Sequence, residues 1–174
     1  MDKAIAYTRV SSDEQRKEGY SLDYQTKAIK EYARKNNLNI VEFFSESMSA
    51  KLPGRIEFNK MLKYAQTNKI DNILFLKNDR ASRNEVDSGW LIHLATTSNI
   101  KVHLIKDGLI LHKKSLPQDF LIFSISSAVS SMFPRNLSEE VKSKKLEKAQ
   151  QGYYPARPPV GYITKRINKK AHIE

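Results

Sequence analysis

AIAYTRVSS, residues 4–12, begins with a short apolar run and then breaks into an arginine and two serines. The run 4–7 is too short for a helix and reads as a buried strand. Residues 21–36, SLDYQTKAIKEYARKN, change period: Leu22, Ala28, Ile29, Tyr32 and Ala33 recur at helical spacing, with Ser21 suited to the N-cap. The alternation then repeats. Residues 38–44 (LNIVEFF), 71–76 (DNILFL) and 100–105 (IKVHLI) read as strands, and residues 56–67 and 84–98 as helices. Strands separated by such helices predict βαβ units, hence an α/β fold with a mostly parallel sheet of four or five strands. Crossovers of this kind are right-handed and cover both faces. Chemistry in such sheets gathers beyond the carboxyl ends of the strands, which points to whatever follows Tyr7, Phe44, Leu76 and Ile105.

The last third breaks the pattern. Residues 118–150 read as one long helix, about 50 Å if continuous. Leu121, Ile125, Ala128, Val129 and Met132 form an apolar stripe, and Leu137 and Val141 extend it past Pro134. A proline inside a helix costs about 3 kcal/mol, so a kink or a fresh helix start is expected at Pro134. A helix this long overshoots a small domain, and its far half needs a partner subunit or a nucleic acid to cover it. Gly152 suits the helix end. The stretch GYYPARPPVG, residues 152–161, reads as an extended linker. The organisation expected is a core over 1–117, a long helix over 118–151 and a basic segment over 152–174.

Charge sharpens this division. The 174 residues carry 30 Lys and Arg against 19 Asp and Glu, a net charge of +11. Residues 142–174 hold nine of the basic residues (Lys142, Lys144, Lys145, Lys148, Arg157, Lys165, Arg166, Lys169, Lys170) against Glu147 and Glu174. The body is much nearer neutrality, so the tail is the expected polyanion-tracking part. There is no cysteine, which excludes disulfides and thiolate metal sites and fits a reducing compartment. The four histidines, His93, His103, His112 and His172, lack metal-ligand spacing, so no metal is expected. No apolar run approaches the ~18 residues of a membrane span, and the N-terminus has no signal-peptide core.

Three segments could carry chemistry. Arg9 and Ser11 follow the first strand. Asp79, Arg80 and Arg83 follow the third. Arg55 follows the loop after the second. An arginine fork binds phosphate oxygens and stabilises charge developing on them, and a serine beside it can act as a phosphate-seeking nucleophile. Each has a plainer reading alone. A serine after a strand is most often a helix cap, and SSDE at 11–14 would serve. An Asp-Arg pair before a helix is more often a capping feature, and a lone arginine is most often surface. The convergence on one sheet edge is what these separate readings miss.

These residues resemble the serine recombinases, the resolvase/invertase superfamily. YTRVSS at 7–12 is similar to that family's nucleophile signature, and KNDRASR at 77–83 to its K-x-D-R-x-x-R signature. EGYSLDYQ at 18–25, RNLSEEVKSK at 135–144 and GYYPARPPVGY at 152–162 resemble the large serine integrase and transposon recombinase branch. The resemblance implies a three-layer resolvase-like domain in which Ser11 attacks a scissile DNA phosphate and forms a phosphoserine link. It implies that Arg9, Arg55, Asp79, Arg80 and Arg83 serve that site, supported by Tyr7, Gln15, Gln25, Ser49 and Glu139. Lys142, Lys144, Lys145, Lys148, Arg157, Lys165 and Arg166 are the DNA contacts expected from the basic tail. No metal, ATP or other cofactor is expected. The implied partner is double-stranded DNA bearing recombination sites, met by a homodimer that becomes a synaptic homotetramer, with a directionality factor as a further possible partner. The implied setting is a prokaryotic cytoplasm, near the nucleoid, with a phage or transposon as the source.

The chain departs from the family pattern at three places, one of them Glu140, which stands where resolvases often have Arg. Asn78 stands where the family commonly has Leu, and Phe133 and Pro134 stand where its long helix is commonly acidic. Family members of this branch are also much longer and often carry a Cys-rich zinc ribbon, so an excised or truncated catalytic fragment is expected. Two alternatives stay open: a non-cutting DNA-binding or oligomerising module of the same fold, and a small nucleotide- or phosphoprotein-binding domain. The second lacks any Gly-rich phosphate loop after a strand.

Overall fold

The structure is a computed structural model that describes residues 1–11, 21–48, 55–167 and 170–173. In chain order the elements are β1 (Asp2–Ser11), α1 (Ser21–Lys35), β2 (Leu38–Met48), α2 (Ile56–Thr67), β3 (Asn72–Phe75), α3 (Asn78–Ala81) and α4 (Glu85–Thr97). They continue through β4 (Lys101–Leu104), β5 (Leu109–Leu111), α5 (Pro117–Gln150), β6 (Thr164–Ile167) and β7 (Lys170–Ile173). Five strands form one sheet in the order β2-β1-β3-β4-β5. The first four are parallel and β5 returns antiparallel to β4. The tight return at 105–108 uses Gly108 at φ +64, a left-handed conformation that glycine adopts without strain. The α/β reading with a mostly parallel sheet and a long following helix therefore holds.

Side chains alternate across β1 and divide the core in two. Ile5 and Tyr7 pack with Ile73, Phe75, Val102 and Leu104 against Phe58, Met61 and Ala65 of α2 and Leu91, Leu94 and Ala95 of α4. Ala4 and Ala6 pack with Leu74 against Ile29 and Ala33 of α1. Small alanines on that face let α1 lie close to the sheet. Helices thus cover both faces, which makes three layers.

The strand order positions the site. From β1 the chain steps outward to β2 and then returns across β1 to β3. The order reverses between β1 and β3, so their carboxyl ends flank the crevice where open α/β sheets bind ligands. β2 runs four residues beyond the expected strand, to Met48, pairing Glu46 with Arg9 and Met48 with Ser11. β1 likewise runs on through Ser11.

The chain divides into two compact units, Met1–Ser130 and Ser131–Glu174. In the first, α5 packs through Phe123 and Ser127, both buried, while Leu121, Ile122, Ile125 and Val129 are exposed. The apolar stripe read from the sequence is therefore mostly uncovered. α5 runs from Pro117 to Gln150 with Pro134 inside it. In the second unit Met132, Phe133, Leu137, Val141 and Leu146 are exposed. The basic tail, whose sequence shows no core of its own, forms an antiparallel hairpin in which Thr164 pairs with Ile173 and Ile167 with Lys170. Among the described residues no helix is long and apolar enough to cross a membrane.

Candidate active site

The site grows from the point where the β1–β3 ladder stops. That ladder ends at Tyr7 paired with Phe75, so Arg9 has no β3 residue beside it. Gln25 of α1 takes the place of one. Its Nε2 donates to the Arg9 carbonyl at 3.0 Å, and the Arg9 N–H donates to its Oε1 at 3.3 Å. Gln25 is only 2% exposed, so its amide is itself a buried polar group that these two bonds satisfy.

The Arg9 guanidinium turns toward the segment that follows β3, where its Nη2 donates to the backbone carbonyl of Asp79. Burial, reinforced by the charges of Arg55 and Arg80, pushes its pKa below the ordinary arginine value. Its Nε is buried and has no hydrogen-bond partner among the described residues, and the same holds for Oδ1 of Asp79. The other Asp79 oxygen lies 3.2 Å from Lys77 Nζ and 3.8 Å from Arg80 Nε. Arg80 is largely buried, its side chain 14% exposed. A crowded cluster of cations with unanswered donors is a place an anion would stabilise.

The single turn α3 carries Asp79 and Arg80. It is too short to hold itself, and Lys77 at its start offers no side-chain cap. The cap comes from the β4–β5 turn instead, where Asp107 Oδ2 accepts from the Asn78 N–H at 2.6 Å.

Arg55 sits differently. It is 7% exposed and lies over the Phe58 ring at 3.8 Å. Its Nη1 donates to Asp87 Oδ2 at 2.6 Å and to the Ala81 carbonyl at 3.0 Å, and its Nη2 donates to the Tyr7 hydroxyl at 3.0 Å. Its Nε stands 3.6 Å from Glu46 Oε2. The Tyr7 hydroxyl in turn donates to Glu46. Burial raises the Tyr7 pKa well above its ordinary range, although Arg55 opposes this. One buried cation is thus held between two carboxylates and a phenol. Asp87 also accepts from the Arg83 N–H at 3.1 Å, which fixes the backbone after α3 while the Arg83 side chain is exposed.

A parallel sheet that switches direction beside such an arginine cluster, followed by a long helix, narrows the family. The family model described as "Resolvase, N terminal domain" matches residues 4–154. The chain belongs to the resolvase N-terminal domain family. This resolvase-family domain has the site-specific recombinase fold. It is similar to a resolvase family site-specific recombinase from Streptococcus pneumoniae, at 27% identity and a TM-score of 0.59, over 86% of this chain and 99% of that one. It shares its fold with the N-terminal catalytic domain of TP901-1 integrase, at 24% identity and a TM-score of 0.56, over 79% and 99%. The C-terminal catalytic domain of ISC1926 TnpA, an IS607-like serine recombinase, is alike in fold at 19% identity and a TM-score of 0.51, over 80% and 99%. No curated protein matches the sequence.

Of the residues singled out in this resolvase-family sequence, Tyr7, Arg9, Gln25, Arg55, Asp79 and Arg80 come together at the carboxyl ends of β1 and β3. Arg83 joins them through its backbone. Ser11 ends β1 two residues beyond Arg9, and its backbone alone is described. Gln15 and Ser49 lie outside the described residues. Glu139 is exposed on α5 in the second unit, as are Lys142, Lys144, Lys145 and Lys148, and Arg157 and Lys165 are exposed beyond it. Lys144 is paired with Glu140 one turn away at 2.5 Å, which holds the Glu140 carboxyl below its ordinary value and Lys144 above its own. Arg166 lies in β6. Three partners escaped the sequence reading: Glu46, Asp87 and Asp107. Glu46 had a visible signal, a carboxylate beside an apolar strand whose alternation carries it inward. Among the described residues no group of three or more His, Asp or Glu could hold a metal ion.

Proposed function

We propose that this resolvase-family domain is the catalytic domain of a serine-type site-specific DNA recombinase with Ser11 as its nucleophile. The observation that carries this reading is the gathering of Arg9, Asp79 and Arg80 at the β1–β3 switch point, two residues from Ser11. Ser11 Oγ attacks a scissile DNA phosphate. The Oγ–P bond forms as one backbone P–O ester bond breaks, and the serine proton and the leaving sugar oxygen end as a free hydroxyl. The phosphoserine ester conserves the phosphodiester bond energy, so rejoining needs no ATP. Arg9, Arg80 and Arg83 bind the phosphate oxygens and stabilise the charge of the transition state, a role that metal ions fill in many nucleases. The unanswered Nε of Arg9 is a donor suited to one of those oxygens. Asp79, with one oxygen unpartnered, is the group suited to handling the proton of the leaving hydroxyl.

Arg55 supports the site from behind, because its donors are directed to Asp87, Ala81 and Tyr7. Lys142, Lys144, Lys145, Lys148, Arg157, Lys165 and Arg166 track the DNA backbone away from the cut. The resemblance to serine recombinases implies action on DNA as an oligomer. The exposed apolar residues of α5 suit a second copy of this chain, in a dimer that pairs into a tetramer for strand exchange. Integration, excision or transposition of a mobile element is the resulting reaction.

The test is covalent capture. The chain is incubated with a pool of nicked, randomised duplexes, denatured, and searched for protein-linked DNA. Adducts that resist denaturation and carry DNA on Ser11 support the proposal. A wild-type protein that yields none overturns it.

A further inference from the structure

Asn78, Ser82 and Ser127 form a polar cluster in the apolar interior, exposed by 3%, 3% and 6%. Ser82 Oγ donates to Ser127 Oγ at 3.0 Å, and Ser127 Oγ donates to Asn78 Oδ1 at 3.1 Å. The Asn78 amide nitrogen donates to the Phe123 carbonyl at 3.3 Å, within α5. Ser82 also stands 3.5 Å from Asn78 Oδ1. The geometry is a clasp. Residues 78 and 82 are the two ends of one helical turn, residues 123 and 127 are the two ends of another, and each end is bonded across. Between 78 and 82 lie Asp79 and Arg80, and Arg83 follows directly. An apolar residue at 78 would pack against α5 without fixing its rotation or register. A closed hydrogen-bond circuit fixes both, because a buried hydroxyl or amide without a partner is costly.

We infer that Asn78 is a positioning residue which, through Ser82 and Ser127, makes the turn bearing Asp79 and Arg80 move as one body with the first turns of α5. The coupling is a property of the fold. Its consequence, that the placement of α5 sets the phosphate-binding geometry of Arg80 and Arg83, rests on the function proposed above. It gives the long helix a direct mechanical route to the reaction centre.

The test compares Ser127→Thr with Ser127→Val in the full chain. The two side chains have the same shape and differ only in the hydroxyl. The readout is amide hydrogen exchange at Arg80, Ala81 and Ser82, whose N–H groups are bonded within the turn at 3.0, 3.2 and 2.9 Å. With Thr these amides exchange together with those of residues 121–128. With Val they exchange at least about tenfold faster while 121–128 change by less than about threefold. Equal exchange in the two variants overturns the clasp. Covalent capture on the nicked duplex pool then reads the consequence. Adduct formation about tenfold slower for Val than for Thr supports it, and equal rates overturn it. Failure of every form, wild type included, to give adducts would count against the proposed chemistry and leave the exchange result standing.

Discussion

Arg55 Nη1 lies 2.6 Å from Asp87 Oδ2, in a setting where both residues are less than 10% exposed. The pair joins the start of α2 to the first turn of α4, beneath the turn that carries Asp79 and Arg80. Arg55 also donates to the Ala81 carbonyl, so one guanidinium holds that turn from below. A buried ion pair contributes little net stability when intact, but removal of one partner leaves the other charge uncompensated.

Arg55→Met therefore strips the counter-charge from both Asp87 and Glu46. The expected loss is about 3–5 kcal/mol of unfolding free energy, measured by urea denaturation. The double variant Arg55→Met with Asp87→Leu recovers part of it. A loss below about 1 kcal/mol would mean that the cluster is not buried as described.

Stability also depends on pH through His103. Its Nε2 lies 2.9 Å from Asn72 Oδ1 and its Nδ1 lies 3.1 Å from the Tyr32 hydroxyl. Nε2 donates to the amide oxygen, so Nδ1 accepts from Tyr32, which only the neutral ring can do. Burial, then the nearby Lys101 and His112, pushes its pKa from 6.5 down to about 4. The unfolded chain binds the proton more readily. The contribution of His103 is complete above about pH 6.5 and declines as pH falls toward about 4, by at most roughly 3 kcal/mol. His103→Gln should flatten the stability profile between those limits. An unchanged profile contradicts the assignment.

Gln25→Ala removes the surrogate strand partner of Arg9. Two backbone groups lose their bonds, at an expected cost of about 1–3 kcal/mol, and the Arg9 amide should exchange faster with solvent. Unchanged exchange at Arg9 would show that Gln25 is a bystander.

Most of the fold was legible because its elements announce themselves by period. The helix at 56–67 matches its expected bounds, and the strands at 72–75 and 101–104 lie within theirs. The turn α3 was not legible, since a four-residue helix has no period and this one is capped by Asp107 from a distant loop. The arginines of the candidate site were readable as a motif. Their roles were not equally readable: Arg55 and Arg80 look alike in sequence, yet the contacts of Arg55 with Glu46, Asp87 and Tyr7 are long-range. In sequence, Asn78 is only a departure from pattern. Its partners Ser82 and Ser127 lie four and 49 residues away, so only the three-dimensional structure shows a circuit.

The basic tail offers a separate prediction. A chain ending at Gln150 no longer has Arg157, Lys165 and Arg166. Its logarithmic salt dependence of DNA binding should flatten by about 0.9 for each phosphate left without its cation. An unchanged slope would place the phosphate-binding cations elsewhere.

The central claim concerns one hydroxyl, and covalent capture on nicked duplex DNA with three proteins tests it most directly. Wild type and Ser12→Ala should both give protein-linked DNA that survives denaturation, and Ser11→Ala should give none. Adducts that persist in Ser11→Ala and vanish in Ser12→Ala would contradict the account.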